Sequence, residues 1–218
     1  MKFTKENIKK GMLLYAITDR SWLREGESLL DVCRQVLENG ATFLQIREKD
    51  LDPAAFEQEA KAIQALCREY QVPCIINDSV EICLDLDADG VHVGQSDLKG
   101  RDIRALIGPD KILGISTATV EEAKIAEAAG ADYLGVGSVF ATSTKKNARN
   151  LTPEKLREIS EAVSIPVVAI GGINETNMLQ LSGCGMDGVA IVSGIFAAEN
   201  PGEAAARLRK LSEQMVAR

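Results

Sequence analysis

Eight short apolar runs, spaced almost evenly along the chain and separated by stretches of helical periodicity, constrain the fold more than any other feature. They fall at residues 13–18, 43–47, 74–77, 90–94, 112–116, 133–139, 167–171 and 188–193. Most are rich in Val, Ile and Leu without apolar–polar alternation, the pattern of parallel strands covered on both faces. Between them, residues 53–70 and 120–129 repeat apolar side chains at helical spacing. The boundaries agree. Asp52-Pro53 and Thr152-Pro153 each place an N-cap residue before a proline at the first helical position. Thr119 with Glu122 reads as a capping box opening the fifth helix of the alternation. Asn39-Gly40 and Gly130 follow helical stretches and suit left-handed C-terminal positions.

Strict alternation over eight units leaves a closed (β/α)8 barrel or an open doubly wound sheet. Even spacing, with no break in composition and no linker, favours the barrel. The 218 residues lie near the lower end for that fold, about 200 upward. The class expected is therefore α/β, a single (β/α)8 TIM barrel occupying residues 1–218 as one domain. Residues 1–12 read as a short N-terminal helix closing the bottom of the barrel.

Composition narrows the function. Hydrophobic residues are 45% and charged residues 26%, as in ordinary globular proteins, which excludes disordered and fibrous classes. A formal net charge of −7 with 4% aromatics argues against a nucleic-acid partner. Five scattered cysteines without a CxxC pair, and one histidine, give a Cys/His zinc site almost no raw material. They read as reduced, buried thiols. Neither a signal-peptide run nor a membrane span is present in the sequence, so a soluble, cytoplasmic protein without a membrane partner is expected.

In such barrels the active site forms at the C-terminal ends of the strands, where this chain is rich in polar residues. Gln45, Arg47 and Lys49 alternate onto one face of the second strand, with Gln45 and Arg47 expected inside the strand body. Cations converging on a barrel mouth are costly to desolvate without an anion, so an anion site outweighs salt bridges to Glu48 or Asp50. The third strand ends at Asn77-Asp78, and Asp97 follows the fourth. Each aspartate alone reads as a helix N-cap; together, beside cations, they suit Mg²⁺ with phosphate oxygens completing its shell. The loop 138–146 clusters hydroxyls and lysines suited to phosphate. Gly171-Gly172 after strand seven and Ser193-Gly194 after strand eight match the common phosphate site of this fold, the alternative being that the glycines merely permit tight turns. His92, mid-strand, reads as a core or supporting residue rather than a base. These features describe a barrel enzyme for small molecules carrying more than one phosphate, with Mg²⁺.

Taken together, Tyr15-Ala-Ile-Thr-Asp-Arg20, Gln45-Ile-Arg-Glu-Lys49, Ile76-Asn-Asp78, His92-Val-Gly-Gln95 with Asp97, Gly114-Ile-Ser116, Thr142-Ser-Thr-Lys145 and Ile170-Gly-Gly-Ile173 resemble the thiamine-phosphate synthase (thiamine monophosphate pyrophosphorylase) family, in order and spacing across roughly the whole barrel. The resemblance implies a Mg²⁺-dependent transferase that joins 4-amino-2-methyl-5-hydroxymethylpyrimidine diphosphate to 4-methyl-5-(2-phosphoethyl)thiazole. Thiamine monophosphate and pyrophosphate would be the products, by a dissociative route. It implies that Gln45 and Asn77 contact the pyrimidine, and that Arg47, Lys49, Ser116 and Lys145 hold the diphosphate as catalytic groups. Asp78 and Asp97 would hold Mg²⁺. Thr142, Thr144, Gly172, Val192 and Ser193 would receive the thiazole phosphate. A homodimer is also implied. Ser138 and Lys99 stand where the family pattern has proline, which bears on loop geometry rather than on any proposed ligand.

The rival within the fold is a non-synthase relative, either thiazole tautomerase-like or a regulatory phosphate-binding barrel. The tautomerase-like group has a histidine shortly after the strand-five serine, where this chain reads Thr117-Ala118-Thr119. A metal epimerase needs more histidines, and a Schiff-base aldolase needs a lysine in the sixth strand, which offers Gly135, Val136 and Gly137.

Overall fold

The computed structural model describes residues 4–48, 51–98, 100–141 and 151–217. Eight parallel strands close into a barrel in sequence order: β1 (Leu14–Ile17), β2 (Phe43–Ile46), β3 (Cys74–Asn77), β4 (Gly90–Val93), β5 (Ile112–Thr117), β6 (Tyr133–Gly137), β7 (Val167–Ile170) and β8 (Gly188–Ile191). The last pairs with the first, Tyr15 opposite Ala190. The expected strands are therefore present, most of them a residue or two shorter. Arg47 lies just past the end of β2 rather than within it.

The helices outside the barrel begin where local chemistry directs. In chain order they are α1 (Lys5–Gly11), α2 (Leu29–Glu38), α3 (Pro53–Glu69), α4 (Val80–Asp85), α5 (Ile103–Ile107), α6 (Val120–Ala128), α7 (Pro153–Glu161), α8 (Ser193–Phe196) and α9 (Pro201–Val216). Asp52 caps α3 through Ala54 N and Ala55 N, and Thr152 caps α7 through Lys155 N. Thr119 Oγ1 accepts from Glu122 N, while Glu122 reaches back to Ala118 N, one residue beyond the expected capping-box partner. Gly40 and Gly130 take φ of 108° and 86°. One unit departs from the alternation: between β7 and β8 the chain makes only the 3₁₀ turn Met178–Leu181, over which α9 packs. Gly183 and Gly185, both at positive φ, turn this short connection back toward the barrel.

Two cores result. Between barrel and helices lies a continuous layer that includes Leu44, Ile46, Val91, Ile115, Leu134, Leu156 and Leu208. Inside the barrel, Tyr15, Phe43, Ile75, Ile112, Tyr133 and Val168 pack together, with Ile8 of α1 and Met12 inserted among them. The N-terminal helix thus plugs the barrel, as the sequence suggests. Among the described residues no helix is long and apolar enough to cross a membrane. All five cysteines are free and buried; burial pushes the Cys83 thiol up to about 12, keeping it a thiol at neutral pH.

Because Ile8 is buried among the residues that fill the barrel interior, Ile8→Ala should destabilise the fold by about 2–5 kcal/mol. Urea unfolding checks this, and unchanged stability would show that α1 contributes nothing to the barrel core.

Candidate functional site

The strand ends bring several of the expected residues to one mouth. Thr18, directly after β1 and fully buried, clamps the backbone of the second strand's end: its amide donates to Gln45 O at 2.9 Å, and its hydroxyl accepts from Arg47 N at 2.8 Å. The half-buried Arg47 is held at the rim in this way. No carboxylate among the described residues pairs with its guanidinium. The nearest candidate in sequence, Glu48, is taken by Arg20, whose Nε donates to Glu48 Oε2 at 2.6 Å while its Nη2 donates to both Glu59 oxygens at 2.7 and 2.8 Å. The Glu48 side chain is 1% exposed, and its Oε1 has no hydrogen-bond partner among the described residues. Burial pushes its carboxyl above the usual range against the pull of Arg20.

Asp78 and Asp97 are not helix caps. The N-cap of α4 is Ser79, and that of α5 is Asp102. Asp78 instead occupies the left-handed region at φ 63°, its amide donating to His92 O and its Oδ2 accepting from Asn77 Nδ2 at 2.7 Å. Asp97 Oδ2 accepts from Gly94 N at 2.8 Å, closing the turn after β4. Two carboxylates from neighbouring strand ends supply hard oxygen donors, and Mg²⁺ typically takes one or two of these plus phosphate and water. The donor set fits such an ion. Among the described residues no cluster of three or more His, Cys, Asp or Glu side chains is placed to hold a metal unaided.

Deeper in the barrel a line of polar side chains runs beneath this rim. Gln45, 2% exposed, donates Nε2–H to Tyr15 Oη at 2.6 Å. Tyr15 Oη and Tyr133 Oη lie 2.8 Å apart, Tyr133 Oη is 2.9 Å from His92 Nδ1, and His92 Nε2 is 2.9 Å from Ser116 Oγ. Burial pushes both phenols above the ordinary tyrosine range. The rings fit because Gly114, opposite both His92 and Tyr133 in register, has no side chain; a Cβ there would lie 2.2 Å from Tyr133 and 2.5 Å from His92. Gln95 Nε2 donates to Ser116 O at 2.7 Å, fixing that residue's backbone.

On the opposite rim, Gly172 (φ 66°) lies where a Cβ would meet Ala141 O at 2.5 Å, so close packing against the β6 loop demands glycine there. Asn177 Nδ2 donates to Gly172 O at 2.9 Å, fixing the loop. Val192 and Ser193, both half-buried, form the entry to α8, whose first N–H groups donate to no capping side chain among the described residues. Ser138 Oγ donates to Phe140 O and its carbonyl accepts from Leu151 N, so this residue shapes its loop through its own hydroxyl.

The rim therefore gathers Arg47, Asn77, Asp78, Asp97 and Ser116 from β2 to β5, with Gly172, Val192 and Ser193 after β7 and β8. Gln45 lies below, its amide nitrogen engaged by Tyr15. Lys49, Lys99, Thr142, Thr144 and Lys145 lie outside the described residues. The sequence reading assigned no role to Thr18, Arg20, Tyr15, Tyr133 or Gln95. Tyr15 and Tyr133 carried one signal, since inward-facing phenols in a barrel require partners for their hydroxyls.

Residues 14–195 match the sequence model of the family described as thiamine monophosphate synthase. The chain is 50% identical over 196 residues to the thiamine-phosphate synthase of Alkaliphilus oremlandii, covering 90% of this chain and 93% of that one. It is 44% identical over 197 residues to that of Methanobrevibacter smithii, with coverage of 90% and 93%. Among solved structures, a thiamine phosphate pyrophosphorylase from Pyrococcus furiosus superposes with a TM-score of 0.87 at 39% identity, covering 96% of this chain and 99% of that one.

The Arg20 network yields a pH-dependent expectation. The folded-state pKa of Glu48 is raised above its ordinary 4.5, so ionised Glu48 is a burden at neutral pH. That burden fades as pH falls through the window just above 4.5, where the folded chain takes up the proton first. Arg20→Ala enlarges it, and should destabilise the protein by roughly 1–3 kcal/mol at about pH 7 and by less near pH 5. Glu48→Gln in that background should recover most of the loss. Urea unfolding at both pH values checks this; a pH-independent loss contradicts it.

Proposed function

The chain belongs to the thiamine monophosphate synthase family, a family of transferases, and on that premise we propose that it makes thiamine monophosphate and pyrophosphate from 4-amino-2-methyl-5-hydroxymethylpyrimidine diphosphate and 4-methyl-5-(2-phosphoethyl)thiazole. The observation that carries this reading is Arg47, its backbone clamped at the rim by Thr18 while Arg20 occupies the adjacent Glu48 carboxylate. A cation that pairs with no carboxylate among the described residues, on a rim that also carries Asp78, Asp97 and Ser116, suits a diphosphate.

The reaction proposed is dissociative. The bond between the pyrimidine methylene carbon and the diphosphate oxygen breaks, its electron pair leaving with pyrophosphate. The thiazole nitrogen then donates its lone pair to the methylene cation. Negative charge grows on the leaving group, so donors already in place there lower the barrier most. Arg47 and Ser116 face that charge in this reading, joined by Lys49 and Lys145. Asp78 and Asp97 would hold Mg²⁺, which when bound adds positive charge at the departing diphosphate. Gln45 and Asn77 would orient the pyrimidine. Thr142, Thr144, Gly172, Val192 and Ser193 would hold the thiazole phosphate, with backbone N–H groups at the start of α8 contributing. Residues 1–218 are read as one barrel domain acting as a homodimer on small molecules. The five free thiols fit a reducing, cytoplasmic setting.

Supplied with both precursors and Mg²⁺, the protein should release pyrophosphate and thiamine monophosphate in equal amounts; well-folded protein without turnover would overturn the reading. Arg47→Ala should lower kcat by about 10²-fold or more, the effect of removing one charge-stabilising donor. Asp78→Ala should weaken the dependence of the rate on Mg²⁺. Wild-type kinetics in Arg47→Ala would remove that residue from the catalytic set.

A further inference from the structure

The buried line of hydrogen bonds from Gln45 to Ser116 has a direction. Gln45 donates Nε2–H to Tyr15 Oη. Either phenol could donate across the 2.8 Å between Tyr15 Oη and Tyr133 Oη, but with Gln45 Nε2–H donating to Tyr15, donation from Tyr15 to Tyr133 is the arrangement that leaves neither buried hydroxyl hydrogen without an acceptor. Tyr133 in turn directs its hydrogen to His92 Nδ1 at 2.9 Å. A neutral imidazole that accepts at Nδ1 carries its hydrogen on Nε2, and Nε2 lies 2.9 Å from Ser116 Oγ. Ser116 therefore accepts from His92, and its own hydroxyl hydrogen is turned away from the imidazole. The interior location of both phenols keeps them protonated near neutral pH, so each retains the one hydrogen the line requires of it.

We propose that His92 is a positioning residue: its Nε2–H tautomer, imposed by Tyr133, Tyr15 and Gln45, fixes Ser116 as a hydrogen-bond donor toward the leaving diphosphate. The inference rests on the reading of Ser116 as a diphosphate contact, and it deepens that reading. A serine free to rotate would offer its hydrogen to His92 or to the ligand; with His92 Nε2–H donating, the first direction is closed. The donor is thus oriented before the substrate arrives, and no hydroxyl reorientation is needed as charge develops.

The chain holds one histidine, so ¹⁵N-histidine labelling yields a single pair of ring resonances. At about pH 8, well above the ordinary imidazole pKa, long-range ¹H–¹⁵N correlation should show Nε2 protonated and Nδ1 unprotonated. Nδ1 protonation in the wild type would overturn the proposal. Tyr133→Phe removes the hydrogen bond to Nδ1 while keeping the ring, and should convert this pattern to a mixture of tautomers. It should also weaken binding of inorganic pyrophosphate with Mg²⁺ about tenfold, the size of one charge-assisted hydrogen bond. In synthase turnover the same variant should lose about tenfold in kcat with KM for the pyrimidine diphosphate nearly unchanged, unfolding remaining cooperative. Wild-type pyrophosphate affinity with the tautomer pattern already mixed would overturn the proposal. Absence of turnover in the wild type would instead overturn the proposed function. The tautomer and the pyrophosphate affinity are both read without turnover, so this test stands apart.

Discussion

A barrel of eight strands has an interior that must be filled, and here the filling is a wedge of aromatic rings whose hydroxyls all require partners. Tyr15, Phe43 and Tyr133 meet edge to face, with centroids 4.9 to 5.8 Å apart. Such contacts suit ring quadrupoles, and together the rings bury a large apolar area. Two of the three rings bring polar atoms with them. Leaving either hydroxyl unmatched in the core would cost on the order of 1–3 kcal/mol, and the structure avoids this by linking them in series. That series ends at Ser116, so the solution to a packing problem at the centre of the barrel also fixes a donor at its mouth. Gly114 makes the arrangement possible by leaving space for both Tyr133 and His92.

A second constraint operates at the rim. The second strand ends in alternating cations and a glutamate, an arrangement that could neutralise itself. It does not, because Arg20 reaches across from the end of β1 and engages Glu48 together with Glu59. Arg47 is left without a carboxylate partner among the described residues, on a backbone clamped by Thr18 at the strand end. The acidic total of −7 therefore says little about the mouth, where pairing elsewhere in the chain determines which charges remain available to a ligand.

The barrel was legible because hydrophobic periodicity and helix-start chemistry pointed the same way at nearly every boundary. Proline behind Asp52 and Thr152 placed two helix starts to the residue. The seventh connection was less so, since a 3₁₀ turn beneath a neighbouring helix carries no periodicity of its own. At the candidate site, the strand pattern placed Arg47, Asp78, Asp97 and Ser116 at the strand ends, where ligands bind in this fold, and the structure has them at those ends. That neither aspartate is a helix cap required coordinates: each precedes a helix, but Ser79 and Asp102 take the capping positions. Pairings such as Arg20 with Glu48 and Tyr133 with His92 join residues 28 and 41 positions apart, and local pattern cannot reveal them. His92 shows the difference best. Read alone it is a buried histidine; read with Tyr133 and Ser116 on its two ring nitrogens, and Tyr15 and Gln45 behind Tyr133, it is the element that aims a hydroxyl.

The most direct measurement of whether this mouth is a diphosphate site is a crystal structure of the protein soaked with inorganic pyrophosphate and Mg²⁺. Pyrophosphate should lie between the Arg47 guanidinium and Ser116 Oγ, with the metal on Asp78 and Asp97. Pyrophosphate bound elsewhere, with Arg47 and Ser116 untouched, would contradict the placement of the chemistry at the ends of β2 to β5.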